Sequence, residues 1–268
     1  MRILLTNDDG INSPGILLLA AALREAGHRV FVIAPASDRS GISHALSFLN
    51  SPCKLTELEQ DTWVCDGTPV DCIITGLLGG LPELAMIPVP ESGVAGTPPD
   101  IIVSGINRGA NLGTDIVYSG TAAAARQGAL FGIPSLALSL VEGLMWHWDM
   151  SVIFAAERLE EMMSFWKPGS FVNVNIPNQR ELPSSVVHAF PSFRYYNDRM
   201  EIYQAPNGSI WCFPNPGEVS ACAPGKVNAS AKPEKGSDWD VVMGNNASIS
   251  GIYIYPVLLE SVDNKGRT

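Results

Sequence analysis

Basic residues are scarce in this chain, with 17 Lys and Arg set against 27 Asp and Glu and a formal charge of −10 at pH 7. A broad nucleic-acid face needs clustered Lys and Arg to neutralise phosphates, so the balance argues against a nucleic-acid polymer as partner. Histidine is scarce too: His28, His44, His147 and His188 stand far apart, and none of their spacings is that of a zinc site. The five cysteines, Cys53, Cys65, Cys72, Cys212 and Cys222, are odd in number and lack the short spacing of a zinc knuckle or redox motif. Reduced, mostly buried thiols in a cytoplasmic protein are the expectation. No apolar run approaches membrane length and no basic stretch leads a short apolar one, so neither a membrane nor a secretory route is expected. The Asn-x-Ser/Thr sequons at Asn207, Asn228 and Asn246 then read as chance matches. A Walker A sequence, a dinucleotide fingerprint and an internal repeat are all missing.

What is present is a globular composition. The 268 residues are 46% hydrophobic and 16% charged, enough to bury a large core without disulfides. Apolar runs at 3–6, 29–34, 100–104, 134–139 and 171–176 read as buried strands. Helical patterns at 13–26, 67–78, 122–131 and 150–165 separate several of them. That alternation predicts an α/β fold: a Rossmann-like, mostly parallel sheet flanked by helices. Short strands are also expected at 45–50, 53–58 and 63–65, and the five prolines within 79–99 predict a loop or excursion. From about Val186 the pattern turns β-rich, with strands expected at 186–190, 201–203, 210–213 and 252–255. The chain therefore divides into a core at 1–185 and, at 186–268, a C-terminal β-rich oligomerisation arm that returns to the core.

The stretch Asn7-Asp8-Asp9-Gly10 lies between the first strand and a helix opened by Ser13 and Pro14. Ligands of open α/β sheets bind at this edge, beyond the carboxyl ends of the strands. Two adjacent carboxylates repel each other there, and a divalent cation keeps both ionised. Two further strand-exit loops offer oxygen: Ser40 in the second, Asn107 and Asn111 in the third. Carboxylate, hydroxyl and amide oxygens suit Mg²⁺ or Mn²⁺ better than zinc. The glycine-spaced loop 105–113 and the turn Ser119-Gly120-Thr121 before a small-residue helix have the make-up of a phosphate cradle. Arg39, Arg108 and Arg126 are candidate phosphate contacts, although solvent-facing arginine is the ordinary case. His44 offers a weak case for an acid or base, and Trp146 and Trp148 read as packing residues.

Five motifs, in this order and separation, resemble the SurE family of survival nucleotidases. They are Thr6-Asn-Asp-Asp-Gly10, Asp38-Arg-Ser-Gly41, Gly67-Thr-Pro-Val-Asp-Cys72, Val103-Ser-Gly-Ile-Asn-Arg-Gly-Ala-Asn-Leu-Gly113 and Tyr118-Ser-Gly-Thr121. Asn173-Val-Asn-Ile-Pro177 and Arg194-Tyr-Tyr-Asn-Asp198 extend the likeness more weakly. The resemblance implies one divalent metal per subunit, held by Asp8, Asp9, Ser40 and Asn107. It implies a nucleoside monophosphate substrate whose phosphate lies among Asn111, Ser119, Gly120 and Thr121, with Asp8 and Asp9 as the catalytic carboxylates. It also implies a homodimer or homotetramer, and leaves polyphosphate open as a second substrate. The sequence departs from the family pattern at Gln127, where Glu is usual, in the long excursion at 83–99, and between Asn207 and Asn246.

Three rival chemistries are weighed against this. An aspartyl-phosphate route uses carboxylates one residue apart, whereas these are adjacent. Zinc N-deacetylases precede the aspartate pair with His-Pro, whereas here Asn7 follows Thr6 and no later His pair completes a zinc site. A non-catalytic nucleotide or metal sensor differs only in turnover.

Overall fold

Side chains alternate between two apolar layers along the central strands. Ile3, Leu5, Val30, Val32, Val103, Leu136 and Leu138 pack on one face. Leu4, Phe31, Ile33 and Ile102 pack on the other. Only a sheet covered on both sides buries strands that are apolar at every position. In the computed structural model, which describes residues 1–86, 96–217, 219–220 and 233–256, that sheet has nine strands.

The strands are β1 (Arg2–Thr6), β2 (Arg29–Pro35), β3 (Leu55–Glu59), β4 (Thr62–Cys65), β5 (Ile101–Arg108), β6 (Ser135–Leu140), β7 (Ser170–Ile176), β8 (Val186–His188) and β13 (Ala247–Tyr253). Their order is β3-β4-β2-β1-β5-β6-β7-β13-β8. From β4 to β7 every neighbouring pair is parallel. β3 and β13 join antiparallel to β4 and β7, and β8 runs parallel to β13. The chain winds outward from β1 to β2, then returns to lay β5 on the other side of β1. The crevice between the exits of β1 and β5 is thus the topological switch point, the usual ligand edge of such sheets.

Helix α1 (Pro14–Glu25) covers one face beside α4 (Trp148–Glu157), and α2 (Pro69–Thr75) packs with α3 (Gly120–Leu130) on the other. Among the described residues no helix is long and apolar enough to cross a membrane.

Several expected elements differ. Residues 45–50 form turns and no strand, because the amide and hydroxyl of Ser47 are drawn onto the buried carboxylate of Asp71. The helix expected through 165 divides at Arg158, whose ψ of 8° breaks it into α4 and α5 (Leu159–Met163). The helix expected through 78 ends at Thr75 and unwinds through a wide turn at Gly76–Gly80. Strand β13 begins at Ala247, five residues before the strand expected at 252–255. Of the excursion at 79–99, residues 87–95 lie outside the described residues.

Beyond β8 the chain leaves the sheet. β9 (Tyr195–Tyr196) pairs with β12 (Val219–Ser220), and β10 (Arg199–Gln204) forms a ribbon with β11 (Ile210–Asn215). Every residue of that ribbon is exposed. Helix α6 (Asp238–Met243) then leads into β13.

Candidate active site

β1 ends in a tight turn that Asn7 fastens. Its side-chain amide donates to the Gly10 carbonyl at 2.9 Å, and its oxygen accepts from the Gly10 amide at 3.2 Å. Asp8 and Asp9 are thereby fixed in different directions.

Asp8 is 3% exposed and lies against the N-terminus of α3. The Thr121 amide donates to Oδ2 at 3.1 Å, and the Thr121 hydroxyl donates to Oδ1. An anion gains there from unpaired amides and from the helix dipole. Gly120 leaves the space, since a Cβ on it would stand 2.8 Å from Cβ and Oδ2 of Asp8. Burial pushes the Asp8 carboxyl up to about 6; the Thr121 hydroxyl opposes that shift and the charge of Asp9 adds to it. Asp9 turns toward β5, where its Oδ2 accepts from the Arg108 amide at 2.9 Å. Burial raises its pKa as well, partly offset by that bond.

The other oxygen donors come from the neighbouring exits. Arg39 donates its amide to the Asp8 carbonyl at 2.7 Å and so holds the loop after β2 beside the aspartates. The Ser40 hydroxyl donates to Asp38 Oδ1 at 2.6 Å, leaving its lone pairs for a further partner. Asn107 lies on β5 itself and not in a loop after it. The β5–β6 register slips between Ser104 and Asn107 by one residue, and such a bulge re-aims the side chains beyond it. The Asn107 amide nitrogen donates to the Gly109 carbonyl at 2.8 Å, which leaves its oxygen available as a ligand.

These exits open on a cavity of about 720 Å³. Asp8, Ser40, Asn107, Asn111 and Ser119 all line it, so five of the eight residues singled out in the sequence converge on one space. Asp9, Gly120 and Thr121 do not line it; Gly120 and Thr121 are buried behind Asp8, and Thr121 gives both its donors to that carboxylate. Asn111 is held by the sheet: its amide donates to Asn175 Oδ1 at 2.7 Å and its side chain to Ser139 Oγ at 2.8 Å. Ser119 caps α3 by accepting from the Ala122 amide at 3.0 Å.

Of the weaker candidates, Arg108 lines the cavity with its guanidinium 5.1 Å from the Trp146 ring, and Trp146 stacks on Trp148. Arg126 lies over Phe171, and the Arg39 guanidinium reaches the Asp66 carbonyl. His44 bonds Gln127 Oε1 at 2.9 Å, and burial lowers its pKa.

The far wall is what site-by-site reading of the sequence missed. Arg194 pairs with Asp115, and the Tyr196 hydroxyl donates to the same carboxylate at 2.6 Å. This knot ties the segment after β8 to the turn at 113–117, and Asp115, Arg194 and Tyr196 all line the cavity. Its signal was the Arg194-Tyr-Tyr-Asn-Asp198 stretch, noted for its likeness and given no role.

A buried acid, Asp8, shares one cavity with oxygen donors from the neighbouring strand exits, and with Asp9 beside it this is a hydrolase-type site at the switch point of an α/β sheet. Comparison with known proteins narrows the class. The family described as "Survival protein SurE" matches residues 3–196. A "5'-nucleotidase SurE" of Treponema pallidum is 42% identical over 181 residues, covering 65% of this chain and 89% of that protein. One from Geobacter sulfurreducens is 43% identical over 180 residues, covering 66% of this chain and 63% of that protein. The crystal structure of the SurE protein from Aquifex aeolicus superposes with a TM-score of 0.77 at 30% identity, over 96% of this chain and 95% of that one. The chain belongs to the SurE family.

Proposed function

We propose that this protein is a divalent-metal-dependent phosphomonoesterase that hydrolyses nucleoside monophosphates to nucleoside and phosphate. The observation that carries the reading is the convergence of Asp8, Ser40, Asn107, Asn111 and Ser119 on one cavity, in a chain whose relatives are named 5'-nucleotidases. The donor set fits a hard cation: Asp8, Asp9, Ser40 and Asn107 offer only oxygen, and Asp8 is a buried carboxylate with no cationic side chain bonded to it among the described residues. Mg²⁺ or Mn²⁺ is the expected ion. When bound, it supplies Lewis-acid polarisation of a phosphoryl oxygen.

The protein's own groups do the rest. Asn111, fixed by Asn175 and Ser139, donates to the phosphoryl oxygens, and Ser119 presents the start of α3 to them. Asp8 or Asp9 accepts the proton of the attacking water. Thr121 holds Asp8 in place, with its amide and its hydroxyl both donating to that carboxylate. Arg194, Asp115 and Tyr196 line the same space and form a wall for the nucleoside.

Phosphate release from a panel of nucleotides, with Mg²⁺ or Mn²⁺ against chelator, tests the reading. Metal-dependent release that Asp8→Asn abolishes supports it; near-normal turnover in that variant at saturating metal defeats it. Zinc-dependent deacetylation and simple sensing both predict no phosphate release.

We further propose a cytoplasmic homo-oligomer in which residues from 186 onward act as the assembling arm. Cys53, Cys65, Cys72 and Cys212 are unpaired thiols, in keeping with a reducing compartment. The ribbon exposes Met200, Ile202, Tyr203, Ile210, Trp211 and Phe213, a large apolar area for a monomer. Sedimentation of Trp211→Glu tests this, and an unchanged oligomer would refute it.

A further inference from the structure

Outside the cavity, the hairpin of β3 and β4 gathers a second set of cation donors of different chemistry. Leu55 faces Cys65 across the antiparallel pair, so Cys53, two residues earlier, lies on the same face and diagonal to Cys65. Beyond that pair the two chains stay joined. The Asp66 amide donates to the Lys54 carbonyl at 3.2 Å, and the Lys54 amide donates to Asp66 Oδ1 at 2.7 Å. The second bond folds the Asp66 carboxylate back toward Cys53. One Sγ from each cysteine and a carboxylate oxygen of Asp66 all lie within 4.8 Å of one another.

The surroundings favour the thiolate at Cys65, whereas burial raises the pKa of the Cys53 thiol, so a cation is what would draw the proton from Cys53. The Gly67 amide donates to Cys65 Sγ at 3.4 Å, which stabilises charge on that sulfur. Gly67 also leaves room for Cys53, whose Sγ would stand 3.1 Å from a Cβ at that position. Cys65 is buried, Cys53 is half-buried and Asp66 is exposed, so the cluster has a closed floor and an open mouth. In a tetrahedral site, metal–sulfur bonds of about 2.3 Å and metal–oxygen bonds of about 2.1 Å put donors about 3.5–3.8 Å apart. The donors here, within 4.8 Å of one another, need to close by about 1.3 Å at most.

We propose that Cys53, Cys65 and Asp66 form a second cation site, selective for a thiophilic ion of the zinc class, with water in the fourth position. Two thiolates and one carboxylate suit Zn²⁺ or Cd²⁺ and disfavour Mg²⁺, which wants oxygen alone. The diagonal placement of the cysteines suits ligation of a shared ion better than a direct bond between them. The site also adjoins the aspartate turn, since Arg39 bonds the Asp66 carbonyl through its guanidinium at 3.3 Å and the Asp8 carbonyl through its amide at 2.7 Å.

The test is a Cd²⁺ titration of the full chain in saturating Mg²⁺, read by equilibrium dialysis and by the ultraviolet thiolate-to-cadmium absorption. A Cys72→Ala/Cys212→Ser/Cys222→Ser background removes the three thiols outside the cluster. One ion per chain is expected, with a band of two-thiolate intensity. Cys53→Ser should weaken binding at least about tenfold, the least that loss even of outer partners costs, and cut the band. Asp66→Asn should weaken binding and keep the band, and Asp8→Asn should leave both unchanged. No saturable absorption overturns the proposal, as does an undiminished band in Cys53→Ser, loss of binding in Asp8→Asn, or the disappearance of two free thiols on air oxidation before any metal is added.

Discussion

Replacing Thr121 with Val isolates one hydrogen bond at the centre of the site. The two side chains are nearly equal in volume and both branch at Cβ, so α3 and its packing are kept while the hydroxyl donor to Asp8 Oδ1 is lost. Thr121 is fully buried and Asp8 is 3% exposed, so no water replaces the donor cheaply. A hydrogen bond to a charged group contributes about 1.5–3 kcal/mol. At 1.4 kcal/mol per decade, metal affinity and kcat/KM at limiting metal should fall about 10- to 100-fold. The amide bond from Thr121 to Oδ2 survives, so activity should recover in part at high metal, and Thr121→Ser should stay near the parent. The assay is phosphate release across a Mn²⁺ titration, paired with urea unfolding to show that the fold is intact. An unchanged titration curve for Thr121→Val would refute the claim that Thr121 positions Asp8.

Three other outcomes are expected. Without metal, the folded chain keeps a proton on Asp8 up to about pH 6 whereas the unfolded chain releases it near 3.8, so stability should fall as pH rises between those values. The difference is worth about 3 kcal/mol, and urea midpoints in chelator should lose that slope in Asp8→Asn. Gln127→Glu sets a carboxylate beside His44 and should raise that histidine's NMR titration midpoint by about 1 unit or more; an unmoved midpoint would deny the contact. Burial works against ionised Asp71, but donors from Ser47 and Thr68 outweigh it and lower its pKa, so its contribution is present above about pH 4 and is lost as pH drops further. Asp71→Asn should therefore cost about 1.5–3 kcal/mol near neutral pH and little in acid, read by urea unfolding at both.

How far the fold could be read from sequence depended on the range of the interactions that set each part. β1, α1 and β2 announce themselves because their apolar spacing, Pro14 and Gly27 all lie within or directly beside the element they shape. The turn at 45–50 hid because its determinant, Asp71, is 24 residues from Ser47, and local composition favoured a strand. Asn107 was assigned to a loop because a one-residue slip in β5–β6 register is a property of two strands together. Thr121 was read as a phosphate contact because its place at a helix start suits an anion; the anion it meets is Asp8, 113 residues away. The cavity wall was least legible, since Asp115 and Arg194 lie 79 residues apart and meet only once the arm folds back.

The place where β13 enters the sheet bears on how this family can vary. β13 runs between β7 and β8, so the chain quits the sheet after His188 and re-enters it at Ala247 beside the strand it left. The family match stops at residue 196, soon after that exit. The two ends of the intervening chain are thus pinned to adjacent strands. Added length in such a segment leaves the strands around it, and so the aspartate turn, where they are, provided that Arg194, Tyr196 and Asp238 keep their bonds to the loop at 113–117.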